Sequence, residues 1–276
     1  LYAVNASGQI PQERFPDVVG RISFFVNAGI RFVEETCKLR AFNRMWDAMA
    51  EQRYGVEDPK KRRFRYGVQV NSLGLTESQP ENNVQRIVLE MLAVTLSKNT
   101  RARAIQLPAW NEALGLPRPW DQQWALRMQQ VLALETDLLE YGDLLDGSPV
   151  VEAKVQELIA GAESEMARVA DQGGMVQAIE SGYVKRELVQ SHTQRMRNIE
   201  SGELKIVGVN CFEQTAESPL TAGTDSGIMK VDVQAEQEQI AGLQAFRAAR
   251  DQQVVDRALS GLKEAAVGGA NIMPSS

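Results

Sequence analysis

Histidine and cysteine are scarce in this sequence. Its 276 residues include one histidine, His192, and two cysteines, Cys37 and Cys211. No metal site with two or three histidine ligands can therefore be built from this chain, and a Ser-His-Asp triad would have to use His192. His192 lies in a polar helical stretch, for which we expect a surface position. Two distant cysteines cannot form a disulfide framework or a cysteine-rich metal site, so a reducing cytoplasm is the expected location.

Long apolar runs and an excess of positive charge are also missing. No apolar run approaches the ~20 residues that cross a bilayer, and the net charge of −6 argues against a general nucleic-acid binder. The basic run at 60–63 is a local exception, for which a solvated loop is expected. Residues 1–9 show neither an initiator methionine nor the pattern of a signal peptide, so we expect the chain to begin within a longer protein.

Three short segments have the β-branched and aromatic character of buried parallel strands. They cover residues 22–26, 64–70 and 102–107. Their starts lie about 40 residues apart, which is the spacing of a strand, a helix and a following parallel strand.

The segments between the strands have a helical period. Apolar residues recur every three or four positions over 32–49 and again over 84–96. Gly55 is the predicted stop of the first helix, and Asn82 or Asn83 is the predicted N-cap of the second. The pattern as a whole predicts a β-α-β-α-β arrangement.

The second half of the chain reads as mainly helical. The predicted elements are helices at 120–141, 149–173 and 183–201, a strand or extended segment at 204–212, a polar surface loop at 213–227, and one final helix at 234–267. The final helix is rich in Gln, Glu and Arg, so we expect it to be largely exposed.

Three parallel strands do not make a complete sheet. Both outer strands would leave backbone groups unpaired, and a closed barrel needs about eight strands. We therefore expect the partner strands to lie in sequence outside this chain or in another polypeptide. The alternative is a small open α/β sheet covered by the helical tail.

Amide and aromatic side chains follow the predicted strands. Asn27 ends the first strand region, Gln69 and Asn71 end the second, and Gln106 and Glu112 end or follow the third. Ligands of parallel α/β folds bind at the carboxyl ends of the strands. Since amides are poor acids and bases at neutral pH, this edge is expected to bind a ligand and to leave difficult chemistry to a cofactor.

Several segments resemble the methylmalonyl-CoA mutase family of adenosylcobalamin-dependent acyl-CoA mutases, and within it the ethylmalonyl-CoA mutase branch. They are Arg21-Ile-Ser-Phe-Phe-Val-Asn-Ala-Gly29, Tyr66-Gly-Val-Gln-Val-Asn-Ser-Leu-Gly-Leu-Thr-Glu-Ser-Gln-Pro-Glu-Asn-Asn-Val84 and Gln106-Leu-Pro-Ala-Trp-Asn-Glu-Ala-Leu-Gly-Leu-Pro117. The segments 146–152, 173–180 and 206–210 are similar to the linker region of that family.

The resemblance implies an α/β fold, the C-terminal part of a (β/α)8 barrel followed by a mainly helical linker region. Residues 1–118 would supply the last strands and helices of the substrate-binding barrel, and 119–276 a linker that wraps it. The implied activity is a radical carbon-skeleton rearrangement of ethylmalonyl-CoA to methylsuccinyl-CoA with adenosylcobalamin, in a cytoplasmic homodimer. Methylmalonyl-CoA or another short branched acyl-CoA is the alternative substrate, and a non-catalytic subunit that completes a barrel is the alternative role.

Five residues match functional positions of the family. The resemblance implies that Arg21 and Ser23 contact the CoA part of the substrate and that Phe25 lines the reaction cavity, although simple barrel packing is an alternative for Phe25. It also implies that Gln69 lies near the corrin and the substrate, and that Glu112 contacts the adenosyl ribose of the cofactor.

The chain departs from the family pattern at two positions and lacks other parts of it. Gly67 stands where many members have histidine, and Pro108 stands where many have asparagine. His192 does not match the motif that supplies the lower cobalt ligand, which belongs to a cobalamin-binding domain absent from this chain. The principal catalytic residues and the cobalt ligand are therefore expected outside these 276 residues.

Overall fold

The computed structural model describes residues 1–221 and 228–273. The chain divides into two compact units, Leu1–Met229 and Lys230–Ser276. In chain order the helices and strands are α1 (Tyr2–Ala6), α2 (Phe15–Val19), β1 (Phe24–Ala28), α3 (Phe32–Gln52), β2 (Tyr66–Val70), α4 (Asn82–Thr95), β3 (Ala104–Gln106), α5 (Pro119–Leu134), α6 (Pro149–Asp171), α7 (Met175–Glu180), α8 (Tyr183–Glu200), α9 (Val233–Ala249) and α10 (Gln252–Val267).

The predicted β-α-β-α-β arrangement is confirmed. β1, β2 and β3 form one parallel sheet in that order, and β2 lies in the middle. α3 and α4 pack on one face of the sheet, where Val68, Val70 and Ala28 are completely buried. Gly55 adopts a φ of +64°, a conformation that favours glycine, and α3 has ended three residues earlier.

The predicted N-cap role of Asn82 or Asn83 is wrong. Glu81 precedes the first turn of α4, and no side chain caps it. Asn83 is instead fully buried, and its amide donates to the carbonyl oxygens of Thr76 and Trp110, both at 2.9 Å. Its Oδ1 accepts from the Thr76 N–H at 3.0 Å. Asn83 therefore ties the loop after β2 to the loop after β3.

The helix predicted at 149–173 is confirmed as α6, and its first turn is capped by Ser148, which accepts from the Val151 N–H. α6 packs against α3. Nearby, the buried ion pair of Arg40 and Asp143, at 2.5 Å, ties α3 to the segment before α6. The helix predicted at 120–141 ends early, at Leu134, because Thr136 caps a separate short 3-10 turn.

Two predictions for the later part of the chain are wrong. Residues 204–212 form a tight turn, because the Asn210 side chain accepts from the Ile206 N–H at 2.7 Å and donates to the Leu204 carbonyl at 2.8 Å. The helix predicted at 234–267 is two helices, α9 and α10, because Asp251 caps the second of them. The surface loop predicted at 213–227 lies partly outside the described residues, and the domain boundary expected at residue 118 stays a prediction.

Helices long and apolar enough to cross a membrane are not found in the part of the chain that the structure describes.

A buried carboxyl group lies under the turn that follows β2. Glu90 on α4 is 1% exposed, and its Oε1 lies 3.5 Å from the position that a Cβ of Gly74 would take. Burial, which is the main cause, and the charge of Glu35 together raise the Glu90 pKa to about 8, and Arg86 opposes both effects. Glu90 is therefore largely protonated in the folded protein at neutral pH.

Glu90→Gln should change how stability depends on pH. The native state keeps the Glu90 proton above the usual glutamate pKa of 4.5, while the unfolded state loses it. Native stability should thus fall as pH rises from 4.5 toward 8, at up to about 1.4 kcal/mol per pH unit. Glutamine has the same shape and does not titrate, so the variant should lose this dependence. Thermal unfolding of the full-length protein at pH 5 and pH 9 measures it.

Glu163→Gln, at an exposed position of α6, is the matched control and should keep the wild-type difference between the two pH values. Equal pH dependence in wild type and Glu90→Gln would contradict the prediction.

Candidate functional site

One face of the sheet is not covered by the described residues. Phe25 is 60% exposed on this face, and Ser23, Asn27, Ala104 and Gln106 are exposed too. Parallel sheets are normally covered on both faces. We call this surface the open face, and it is the candidate site because a ligand or further protein is needed to cover it.

Phe25 and Gly67 are neighbours on the open face. They are directly paired in the register of β1 and β2, and Ala104 of β3 continues the same row. The Phe25 ring lies over Gly67, with Cε2 only 3.0 Å and Cδ2 3.1 Å from the position that a Cβ would take. Both distances are tighter than most real Cβ contacts, so the Phe25 ring occupies space that any larger residue at 67 would need.

A row of amides follows toward the carboxyl ends of the strands. Asn27, Gln69 and Gln106 are paired across β1, β2 and β3. Each amide can donate and accept hydrogen bonds. The Gln69 side chain makes no hydrogen bond with any of the described residues, so the row is available to orient a polar ligand.

Arginine side chains collect near the opposite, amino ends of the strands. Arg63, Arg65, Arg101 and Arg103 line a pocket of 370 Å³ with Asn43, Phe64, Asn99 and Thr100. Arg65 donates to the carbonyl oxygens of Gly20 and Lys60. The other three guanidinium groups have no hydrogen-bond or ion-pair partner among the described residues. Unpaired guanidinium groups are well suited to phosphate.

The five predicted site residues do not form one cluster. Ser23, Phe25 and Gln69 lie on the open face, Arg21 is exposed just before β1, and Glu112 lies in a turn after β3 at the other edge of the sheet. Ser23 directly precedes β1 and Asn27 lies near its end, and four residues of extended chain correspond to about 13 Å at 3.3 Å per residue. The arrangement thus suits a long ligand whose ends differ in chemistry.

Glu112 projects into solvent from its turn, and its carboxylate makes no hydrogen bond with any of the described residues. A free carboxylate can accept from hydroxyl groups such as those of a ribose. Groups of three or more His, Cys, Asp or Glu that could hold a metal ion are not found over 1–221 and 228–273, and His192 is exposed on α8. The Glu112 carboxylate thus fits the hydroxyl groups of a nucleoside.

Sequence reasoning missed two parts of this arrangement. The pairs Arg63 and Arg65, and Arg101 and Arg103, each directly precede a strand, and that spacing could have indicated a basic edge. The links from Asn83 and Asp121 to the turn of Glu112 join residues far apart or in irregular backbone. No periodic pattern in the sequence indicates them.

The geometry defines a class first: this is a parallel β-α-β-α-β unit with one sheet face left open by the described residues. A family model described as methylmalonyl-CoA mutase matches residues 14–276. The chain belongs to the methylmalonyl-CoA mutase family, and the parallel sheet is consistent with the C-terminal part of its (β/α)8 barrel. Membership implies a cobalamin-type cofactor.

The chain is similar to two proteins named ethylmalonyl-CoA mutase. It is 61% identical to the protein of Cereibacter sphaeroides over 97% of this chain and 41% of that protein. It is 60% identical to that of Methylorubrum extorquens over 100% of this chain and 40% of that protein. The methylmalonyl-CoA mutase of Escherichia coli is 31% identical over 94% of the chain. The chain therefore spans about two fifths of the length of these two ethylmalonyl-CoA mutases.

Gly67→Ala should displace the Phe25 ring. The new methyl group would lie 3.0 Å from Phe25 Cε2, and the exposed ring can rotate away more easily than the strands can separate. A crystal structure of the full-length variant would show the Phe25 ring moved away from residue 67 by at least a few tenths of an ångström. Gly142→Ala, where nothing lies within 4 Å of the added Cβ, is the control. An unmoved ring in Gly67→Ala would refute the steric argument.

Proposed function

We propose that this chain forms part of the active site of an adenosylcobalamin-dependent mutase that interconverts ethylmalonyl-CoA and methylsuccinyl-CoA. The observation that carries the proposal is the order of groups along the strands. Unpaired arginines lie near the amino ends, amides and an aromatic ring occupy the open face, and a free carboxylate lies beyond the carboxyl ends. An acyl-CoA has its phosphates at one end and its reacting acyl group at the other, so it fits this order.

At the amino ends, Arg21 and Ser23 would contact the CoA phosphates, and the arginine-lined pocket offers further cationic donors nearby. Guanidinium groups bind phosphate through paired N–H donors, and a serine hydroxyl can add a further hydrogen bond. Arg65 donates to the Gly20 carbonyl, which fixes the segment that carries Arg21 relative to the start of β2.

In the middle of the open face, Phe25 and Gln69 would contact the acyl part of the substrate. Phe25 would exclude water and Gln69 would orient polar groups through its amide. Gly67 allows the Phe25 ring to lie flat over β2, where a histidine side chain would displace it. The two positions together would shape the acyl pocket for a branched substrate.

At the carboxyl ends, Gln69 and Glu112 would hold the adenosyl side of the cofactor. When bound, adenosylcobalamin supplies the radical that starts the rearrangement. Glu112 would accept hydrogen bonds from the two ribose hydroxyls and so fix the nucleoside. The remaining barrel strands and the cobalt ligand would come from the rest of the protein, which we propose to be a cytoplasmic homodimer of the ethylmalonyl-CoA pathway.

An assay of the full-length protein tests the proposal. With adenosylcobalamin present, the protein should convert ethylmalonyl-CoA to methylsuccinyl-CoA. Its kcat/KM for ethylmalonyl-CoA should be higher than its kcat/KM for methylmalonyl-CoA. A preference for methylmalonyl-CoA would assign the alternative substrate. Conversion of neither, by a protein that nevertheless binds a partner chain with the missing strands, would favour the non-catalytic role.

Arg21→Ala should raise KM for the acyl-CoA about tenfold with little change in kcat, because it removes a charge-assisted contact far from the reacting carbons. With an acyl-pantetheine substrate, which lacks the phosphates of the nucleotide, the KM of Arg21→Ala should equal that of the wild type. Steady-state kinetics with both substrates measures the difference.

Arg195→Ala, at an exposed position of α8, controls for the loss of one positive charge and should leave both KM values unchanged. If Arg21→Ala raised KM by the same factor with acyl-CoA and with acyl-pantetheine, Arg21 would not contact the phosphates.

A further inference from the structure

Glu112 lies in a turn whose neighbouring residues are held by one buried carboxylate. Asp121, in the first turn of α5, is 0% exposed. Its Oδ1 accepts from the Trp110 indole N–H at 2.8 Å, and its Oδ2 accepts from the Asn111 amide at 2.9 Å. Trp110 and Asn111 directly precede Glu112 and are themselves completely buried.

Further donors surround the same carboxylate. Arg118 donates to Oδ2 from its backbone N–H at 2.8 Å and from Nε at 3.1 Å. Burial acts to raise the Asp121 pKa, but the hydrogen bonds from Arg118, Trp110 and Asn111 outweigh it and lower the pKa below its ordinary value. Asp121 is therefore charged in the folded protein, and it accepts hydrogen bonds on both oxygens.

The turn is also held from its other side. The Asn83 amide donates to the Trp110 carbonyl at 2.9 Å, so Trp110 is fixed through its backbone by α4 and through its indole by α5. The turn closes with the Glu112 N–H donating to the Ala109 carbonyl at 3.1 Å. Glu112 is thus an exposed side chain on a backbone that buried hydrogen bonds fix.

We propose that Asp121 is a positioning residue, which sets the place of the Glu112 carboxylate for the ribose hydroxyls of adenosylcobalamin. The inference rests on the proposed function, because it needs Glu112 to contact the nucleoside. Nothing in it requires Asp121 to touch the cofactor, since Asp121 is buried behind the turn.

Asp121→Asn keeps the shape of the side chain and changes its hydrogen bonding. The groups that face the Asp121 carboxylate in the described contacts are all N–H donors. The side-chain NH2 of an asparagine at 121 would therefore face a donor whichever way the amide is turned. At least one buried donor loses its acceptor, and the turn loosens. Trp110→Phe is a milder second variant, because it removes only the indole donor and keeps an aromatic ring.

The experiment is equilibrium binding of adenosylcobalamin and methylcobalamin to the full-length protein. Methylcobalamin has the corrin but lacks the adenosyl ribose. Asp121→Asn should weaken the binding of adenosylcobalamin about tenfold and the binding of methylcobalamin by less than about twofold. Trp110→Phe should change both affinities in the same direction but by smaller factors. In the Glu112→Gln background, Asp121→Asn should add little, because the group that it positions is already altered.

Two further measurements separate positioning from general support of the fold. Amide hydrogen exchange of residues 109–115 in the cofactor-free protein should be faster in Asp121→Asn. Asp143→Asn is the matched control: it alters a buried carboxylate, paired with Arg40 and bonded to the Asn99 N–H at 2.9 Å. It should lower the melting temperature without changing either affinity.

Equal weakening of both corrinoids, or full additivity with Glu112→Gln, would overturn the inference in favour of a purely structural role. An unchanged affinity for adenosylcobalamin in Asp121→Asn, or in Glu112→Gln alone, would also overturn the inference. The proposed function would still stand in that case if the wild-type protein converted ethylmalonyl-CoA. A wild-type protein that binds no adenosylcobalamin would refute both.

Discussion

A parallel sheet has to bury both of its faces, and this requirement governs how the rest of the chain can be understood. α3 and α4 cover one face with aliphatic side chains, and Val68 and Val70 are completely buried there. The open face carries amides, small residues and one exposed aromatic ring instead. If only more protein core covered it, we would expect aliphatic residues there as well. The composition of the open face therefore indicates that a polar ligand provides part of its cover.

The parallel direction of the strands also explains why positively and negatively charged side chains lie at opposite ends of the candidate site. Residues that precede parallel strands gather at one edge of the sheet, and residues that follow them gather at the other. Arg63, Arg65, Arg101 and Arg103 precede β2 and β3, whereas Glu112 follows β3. Positive and negative groups are thereby placed at opposite ends of the strands. A site with this order of charges would bind a long ligand in one direction only.

Much of the fold and part of the site could be predicted from the sequence, because strands and amphipathic helices have local periodic patterns. The three strands, α3, α4 and α6 were predicted on that basis. The errors concern single polar side chains: Asn83 bonds Trp110, 27 residues away, Asn210 folds an apparently extended segment into a turn, and Asp251 divides the last predicted helix. A local pattern indicates that such a residue can cap or turn the chain, but not which distant group it bonds.

The buried network around Trp110 shows what these polar side chains add. Replacing Asn83 or Asp121 alone with an apolar residue would leave its buried partners unpaired and would cost stability, although intact buried hydrogen bonds each contribute only about 1 kcal/mol of net free energy. They are, however, directional: Asn83 fixes the Trp110 carbonyl and Asp121 fixes its indole, so the backbone entering the Glu112 turn is held at two points. A binding group has to be held to within about 0.5 Å for productive geometry, and packing alone leaves a turn freer than that. Because the exposed Glu112 carboxylate has no hydrogen bond with the described residues, the accuracy that we propose for it would come from the buried residues that precede it.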